Sequence, residues 1–268
     1  MLVKKDAVEE AVHAAGGIGG FRQPHGLSDC TVFPSTQHGV PLQSAPPAEA
    51  ATGILRDRLR PNLWPDSMIP ANTQDHAPDA LTQNRAGAFA LLGAVLAAAP
   101  DAGLLRAVAA LPAGETPLGQ SLAALAGAAA VDSAILEREF HDLFIGVGRG
   151  DILPYASWYL TGFLHERPLA DLRSSLIALG LQRAPGVAEP EDHIAFLCET
   201  MAALLRGDIA PTNDGFGAAG FLARHLQPWA GRLFADLVAN TGSAFYRAVG
   251  GFGRAVLDIE TLAAELPE

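Results

Sequence analysis

Glu189-Pro190-Glu191-Asp192-His193 packs three carboxylates and one imidazole into five consecutive residues. Glu189 and His193 are four apart, a separation that on one helix face suits two metal ligands or an acid/base pair. Asp192 and His193, taken with Ser157 upstream, supply the residue types of a Ser–His–Asp triad. The surroundings support neither chemistry strongly. No H-E-x-x-H pair is present, and nothing around Ser157 forms a nucleophile elbow. The plainer reading is a helix start. Pro190 suits a first helical position, Glu191 and Asp192 suit the positive end of a helix dipole, and His193 is then a solvated side chain. Ile194, Leu197, Met201, Leu204 and Leu205 follow at 3/4 spacing and predict one apolar face.

Three other groups carry chemistry. Gly146-Val147-Gly148-Arg149-Gly150 resembles a phosphate loop only in composition, because a helix precedes it and no G-K-[ST] follows. It reads as a helix–helix connection. His25, Cys30 and His38 could ligate zinc, but without paired ligand spacing. Pro154-Tyr155-Ala156-Ser157-Trp158-Tyr159-Leu160 concentrates aromatics that either pack in the core or wall a groove for an apolar peptide.

The elements that must position these groups are helical. From Asp79 onward, apolar residues recur with a helical period: 80–98, a short segment around Leu104–Val108, one beginning at Leu118, one through Leu136–Phe144, and one through Leu169–Leu179. The opening helix comes next, then single stripes over Phe221–Leu237 and Ala244–Leu262. No alternating β-branched run or hairpin signal appears. The fold class is all-α, with eight to ten helices. Residues 1–76 differ, because prolines at 24, 34, 41, 46, 47, 61, 65 and 70 interrupt every potential element. This extension is expected to be loop or disorder, or to lie upstream of a true start at Met68. Breakers at Gly180, Pro185 and Gly186 mark a connector before the opening helix.

Totals narrow the function. The net charge is −11. Residues 1–76 hold six Lys/Arg against eight Asp/Glu, and the remainder twelve against twenty-one, so the acidity lies in the helical part. That balance excludes a nucleic-acid partner and leaves room for a basic one. No run reaches the roughly 18–20 apolar residues of a membrane span, and no signal-peptide core follows Lys4 and Lys5. Cys30 and Cys198 are too few and too distant for a disulfide framework, which points to a reducing compartment.

Four blocks together resemble the TorD/DmsD family of redox-enzyme maturation chaperones. They are Glu139–Gly146, Leu153–Leu160, Glu189–His193 and His225–Trp229, in family order. The resemblance implies one all-helical domain over 77–265, built of two helical parts joined by a hinge near 180–193. It implies a cytoplasmic binding protein and not an enzyme. Its partners would be the twin-arginine signal peptide and the apo form of a molybdoenzyme, held until molybdopterin guanine dinucleotide is inserted into that client. No cofactor is then bound stably by the chaperone itself, although weak guanine-nucleotide binding is proposed for some members. The protein would be a monomer or a domain-swapped dimer, with no membrane insertion. The signal-peptide-binding and hinge motif falls on Glu189, Pro190, Glu191, Asp192 and His193. The groove falls on Leu143, Phe144, Gly146, Pro154, Tyr155, Ser157, Trp158 and Tyr159. The Gly-rich loop and single Pro154 look more like the formate-dehydrogenase-linked or unassigned branch than the dimethyl-sulfoxide or trimethylamine-oxide reductase branches. A basic, apolar leader needs carboxylates beside an apolar groove, which the acidic helical part can offer. The competing expectations are a helical adaptor for a different protein and a slow nucleotide hydrolase using Asp192 and His193.

Overall fold

A computed structural model describes residues 59–61, 79–183, 188–212 and 214–264. Ten α-helices run through it among the described residues: α1 (Ala80–Ala97), α2 (Ala102–Ala109), α3 (Pro117–Ala128), α4 (Ser133–Phe140), α5 (Ala156–Thr161), α6 (Arg167–Ala178), α7 (Ile194–Arg206), α8 (Ala218–His225), α9 (Ala230–Ala239) and α10 (Ala244–Ala264). The all-α expectation holds for these residues. The helix starts follow local chemistry. Asp79, Asp101 and Asp132 accept backbone N–H bonds as N-caps, and Thr116 does the same ahead of Pro117.

The core is built around α1 and α7. From Ile194 through Leu205 every residue of α7 is buried, so the expected single apolar face is in fact a helix buried all round. Small residues make this possible. A Cβ on Gly93 of α1 would lie 3.0 Å from Glu199 Cγ and 3.3 Å from the Ala195 carbonyl oxygen, so the glycine sets the approach of the two helices. Thr200 satisfies its hydroxyl locally, donating to the Phe196 carbonyl at 2.9 Å. One hydrophobic cluster takes in Phe89 and Leu92 before the connector and Phe196, Phe234 and Phe252 after it, so both helical parts share a core. Arg85 of α1 ties to Glu260 of α10 through two bonds, Nε–Oε1 at 2.7 Å and Nη2–Oε2 at 2.6 Å.

Three local expectations change. The stripe over Phe221–Leu237 is two helices, α8 and α9, separated at Leu226–Trp229, because Pro228 has no N–H to continue the ladder. The Leu136–Phe144 stripe ends in a π-helical turn, His141–Ile145. Two short strands also exist: β1 (Leu59–Pro61) pairs antiparallel with β2 (Leu181–Arg183), Leu59 opposite Arg183 and Pro61 opposite Leu181. Three-residue strands are too short to show an alternation in sequence. The rest of the extension, with His25, Cys30, His38 and Met68, lies outside the described residues.

Candidate functional site

Residues 154–157 and 192–194 are laced together across the domain. The Ala156 N–H donates to the Asp192 carbonyl at 3.0 Å, and the Ile194 N–H donates to the Pro154 carbonyl at 2.8 Å. Tyr155 and His193 form an antiparallel bridge, their rings edge-on with centroids 5.1 Å apart. The Asp192 carboxylate completes the unit by accepting from the Ser157 N–H at 2.8 Å. The Tyr155 hydroxyl donates to the Glu189 carboxylate. The structure therefore joins two of the motif blocks into one small hydrogen-bonded unit.

This arrangement corrects the local reading of Glu189–His193. Pro190 is not the first helical residue. It sits in the turn before α7, and its carbonyl accepts from the His193 N–H at 3.3 Å. His193 is the N-cap of α7, with Nδ1 accepting from the Ala195 N–H at 3.2 Å, which for a neutral ring assigns the proton to Nε2. Asp192 serves the start of α5 instead of α7. Neither acid is exposed: Asp192 is 1% and Glu191 6% accessible. Glu191 already holds a guanidinium, with Arg173 Nε 3.2 and 3.1 Å from its two oxygens and Nη2 2.8 Å from Oε2. Arg183 Nε lies 4.0 Å away, and its Nη2 donates to the Glu189 carbonyl at 3.3 Å.

The catalytic alternatives lose their geometry. Ser157 meets Asp192 through its backbone N–H, while its buried Oγ has no hydrogen-bond partner. With His193 Nδ1 committed to capping, Ser157, His193 and Asp192 form no relay of nucleophile, base and orienting acid. Glu189 and His193 precede α7, so their spacing of four confers no common helix face. No group of three or more His, Cys, Asp or Glu among the described residues is arranged to hold a metal.

The expected groove residues divide by burial. Leu143 is 3% accessible and belongs to the core, so it lines no groove. Phe144 packs at 4.9 Å from Phe140 and 5.2 Å from Tyr246, in the margin of the same core. Pro154 and Ser157 are buried. Trp158 lies under Arg149, whose guanidinium carbon sits 5.1 Å from the ring centroid. Tyr159 stacks 5.4 Å from Trp229 and donates to Asp236 of α9 at 2.6 Å. Burial first, and then that bond, push its hydroxyl pKa well up. Gly146 closes the loop after the π turn with φ +60, and a Cβ there would lie 2.2 Å from the Arg149 carbonyl oxygen.

The open cleft lies beside these residues, between α5, α6, α7 and α8. It has a volume of about 410 Å³ and is lined by Ala156, Leu160, Pro168, Asp171, Leu172, Ser174, Leu197, Arg224 and His225. From the aromatic block only Ala156 and Leu160 reach it, because their neighbours point into the packing with α9 and the loop. The turn after α5 exposes two further apolar side chains, Phe163, 69% accessible, and Leu164, 38%. His225 forms part of the floor, its Nε2 2.9 Å from Ser175 Oγ. Burial, helped by neighbouring Arg224, lowers its pKa to about 4, so the imidazole is neutral near pH 7. Sequence reading missed this cleft. Leu160, at the end of the aromatic block, was its local signal in the sequence.

Residues 111–235 match the family described as nitrate reductase delta subunit. The chain is 30% identical over 140 residues to the chaperone protein TorD of Aliivibrio fischeri, an alignment covering 48% of this chain and 65% of that protein. It is 31% identical over 140 residues to TorD of Aliivibrio salmonicida, with 48% and 65% covered, and 34% identical over 101 residues to TorD of Vibrio cholerae, with 35% and 46% covered. The chain thus spans just under two thirds of the length of the first two. The matched residues 111–235 include the Glu189–His193 motif and the whole cleft.

Proposed function

We propose that this chain, a relative of the TorD chaperones, is itself a non-catalytic maturation chaperone that binds the twin-arginine signal peptide of a molybdenum-dependent oxidoreductase in the cytoplasm. The observation that carries this reading is the coupling of the Glu189–His193 unit to a cleft of mixed polar and apolar lining that includes Leu160, Leu172 and Leu197. Asp192 and the backbone around it fix the start of α5. α5 then presents Leu160 to the cleft, and the turn beyond it exposes Phe163 and Leu164. A signal peptide's apolar stretch buries surface there, at roughly 25 cal/mol per Å² of apolar area.

Its arginines meet a carboxylate at the rim: Asp171 lines the cleft and is exposed, 3.8 Å from Arg167, while the Glu189 carboxylate accepts from the Tyr155 hydroxyl and lies outside the lining. Glu191 and Asp192 contribute from below, as the buried frame of the site. The connector 180–193 is the hinge across which the two helical parts adjust, as a monomer or by exchange between two copies. The client retains molybdopterin guanine dinucleotide, and guanine nucleotide binding by the chaperone is weak at most. Among the described residues no single helix is long and apolar enough to cross a membrane.

Calorimetric titration with synthetic leaders of a formate dehydrogenase, a nitrate reductase and a trimethylamine-oxide reductase tests the reading. One leader should bind at least tenfold more tightly than its Lys-Lys counterpart, with the formate dehydrogenase leader the first candidate. Leu160→Asp with Phe163→Asp should weaken that binding at least tenfold and leave the fold intact by circular dichroism. If no leader exceeds its Lys-Lys control, the reading fails.

A further inference from the structure

We propose that Arg224 is a specificity-determining residue of the cleft, receiving a carboxylate side chain from the same peptide whose arginine meets Asp171. The identification of that peptide as a client leader rests on the function proposed above. Arg224 of α8 and Asp171 of α6 line one cleft with opposite charges, yet among the described residues they form no ion pair with each other. Asp171 has Arg167 as its neighbour, at 3.8 Å and with both side chains well exposed, a pairing worth little in water. Arg224 lies against a ring instead, its guanidinium carbon 5.2 Å from the Phe216 centroid. Stacking occupies the face of a guanidinium and leaves its N–H edges, which among the described residues donate to no acceptor.

The surroundings hold this fork in place without satisfying it. Phe216 is fixed by its own loop, its N–H donating to Thr212 Oγ1 at 3.0 Å and to Asp214 Oδ1 at 3.2 Å. Its ring meets His225 edge-on, with centroids 6.5 Å apart. Asp214 lies within electrostatic reach of Arg224, but its carboxylate is taken up by the Thr212 hydroxyl and the Phe216 N–H. His225 feels both cleft charges, Arg224 lowering and Asp171 raising its pKa, and being neutral near pH 7 it cancels neither. A carboxylate arriving from outside therefore finds a preorganised planar fork, the partner for two parallel charge-assisted bonds. Leu160, Leu172 and Leu197 line the same cleft, so a base, an apolar residue and an acid on one peptide each meet a complementary group. A chain of net charge −11 attracts any basic leader from a distance. The local positive charge of Arg224 then penalises leaders that bring a further base to it.

The test is a charge scan of the leader that binds most tightly in the calorimetric series, using the full chain. Glu, Gln and Lys are placed in turn at each leader position other than its two arginines. At one position Glu should bind about fivefold or more tighter than Gln, with Lys the weakest. Arg224→Glu should reverse that order at the same position. Arg224→Lys should keep the order with a smaller spread, because an ammonium lacks the planar fork. Arg224 is exposed, so both variants should keep the circular dichroism and Tm of the wild type. A leader that binds with no position favouring Glu over Gln overturns the proposal, and so does a preference that Arg224→Glu leaves in place. In both of those cases the chaperone reading still stands. If no leader binds above its Lys-Lys control, the chaperone reading falls and the role of Arg224 falls with it.

Discussion

The Asp192 carboxylate accepts a 2.8 Å hydrogen bond from the backbone N–H of Ser157, thirty-five residues earlier in the chain. An acid just ahead of α7 thus anchors the start of α5, the helix that carries Leu160 to the cleft. Its other oxygen, Oδ1, is buried without a hydrogen-bond partner. A carboxylate held so far from water with one oxygen unmatched costs folding free energy, and what it secures is the position of α5.

Asp192→Ala removes a buried, charge-assisted cap and should destabilise the domain by about 1–3 kcal/mol. Asp192→Asn keeps an acceptor for the Ser157 N–H and should cost less than the alanine variant. Urea midpoints for the two variants make the comparison. Equal losses would mean that the bond to Ser157 is not what Asp192 contributes.

Arg173→Ala leaves Glu191, 6% accessible, without its near partner. Complete loss of the partner of a buried charge costs about 3–5 kcal/mol. Here Arg183 remains 4.0 Å away, so a loss of about 2 kcal/mol is expected. In the proposed function the variant also offers an under-paired carboxylate to a leader arginine. A twin-arginine leader should therefore raise the Tm of Arg173→Ala by more than that of the wild type, a difference that scanning calorimetry measures.

Acid should weaken the fold through His225. Its folded pKa, about 4, lies below the ordinary value of 6.5 because of burial first and Arg224 second, while Asp171 opposes them. Between pH 6.5 and 4 the unfolded chain binds a proton that the folded chain does not, so stability falls as pH is lowered through that window. The contribution is fully present above 6.5. His225→Gln should flatten this part of the profile of urea midpoint against pH, and an unaltered slope would assign the acid sensitivity to other groups.

Gly146→Ala forces φ +60 on a residue with a Cβ and drives that atom to 2.2 Å from the Arg149 carbonyl oxygen. A loss of about 2 kcal/mol or more is expected, because both backbone strain and a main-chain clash oppose the variant. Gly148→Ala bears the strain of φ +91 with open space around the Cβ and should lose less. Thermal melts of the pair separate clash from strain.

Periodicity and capping alone determined most of the helical architecture. The apolar stripes, together with Asp79, Asp101, Thr116 and Asp132 at helix starts, are interactions among residues within a few positions of one another, so they are written in consecutive sequence. The four motif blocks likewise resembled the TorD/DmsD family, and the similarity to TorD chaperones, with the family match over residues 111–235, bears that resemblance out. Only the tertiary structure decided what Glu189–His193 does. Local rules placed its acids at the dipole of the helix that follows, whereas Asp192 caps α5 and Glu191 binds Arg173 of α6. The burial of α7 on every side, the cleft under Leu160 and the pairing of Leu59–Pro61 with β2 were hidden for the same reason. Each depends on groups brought together from distant parts of the chain, and a carboxylate's partner is set by which N–H or guanidinium the packed core delivers to it.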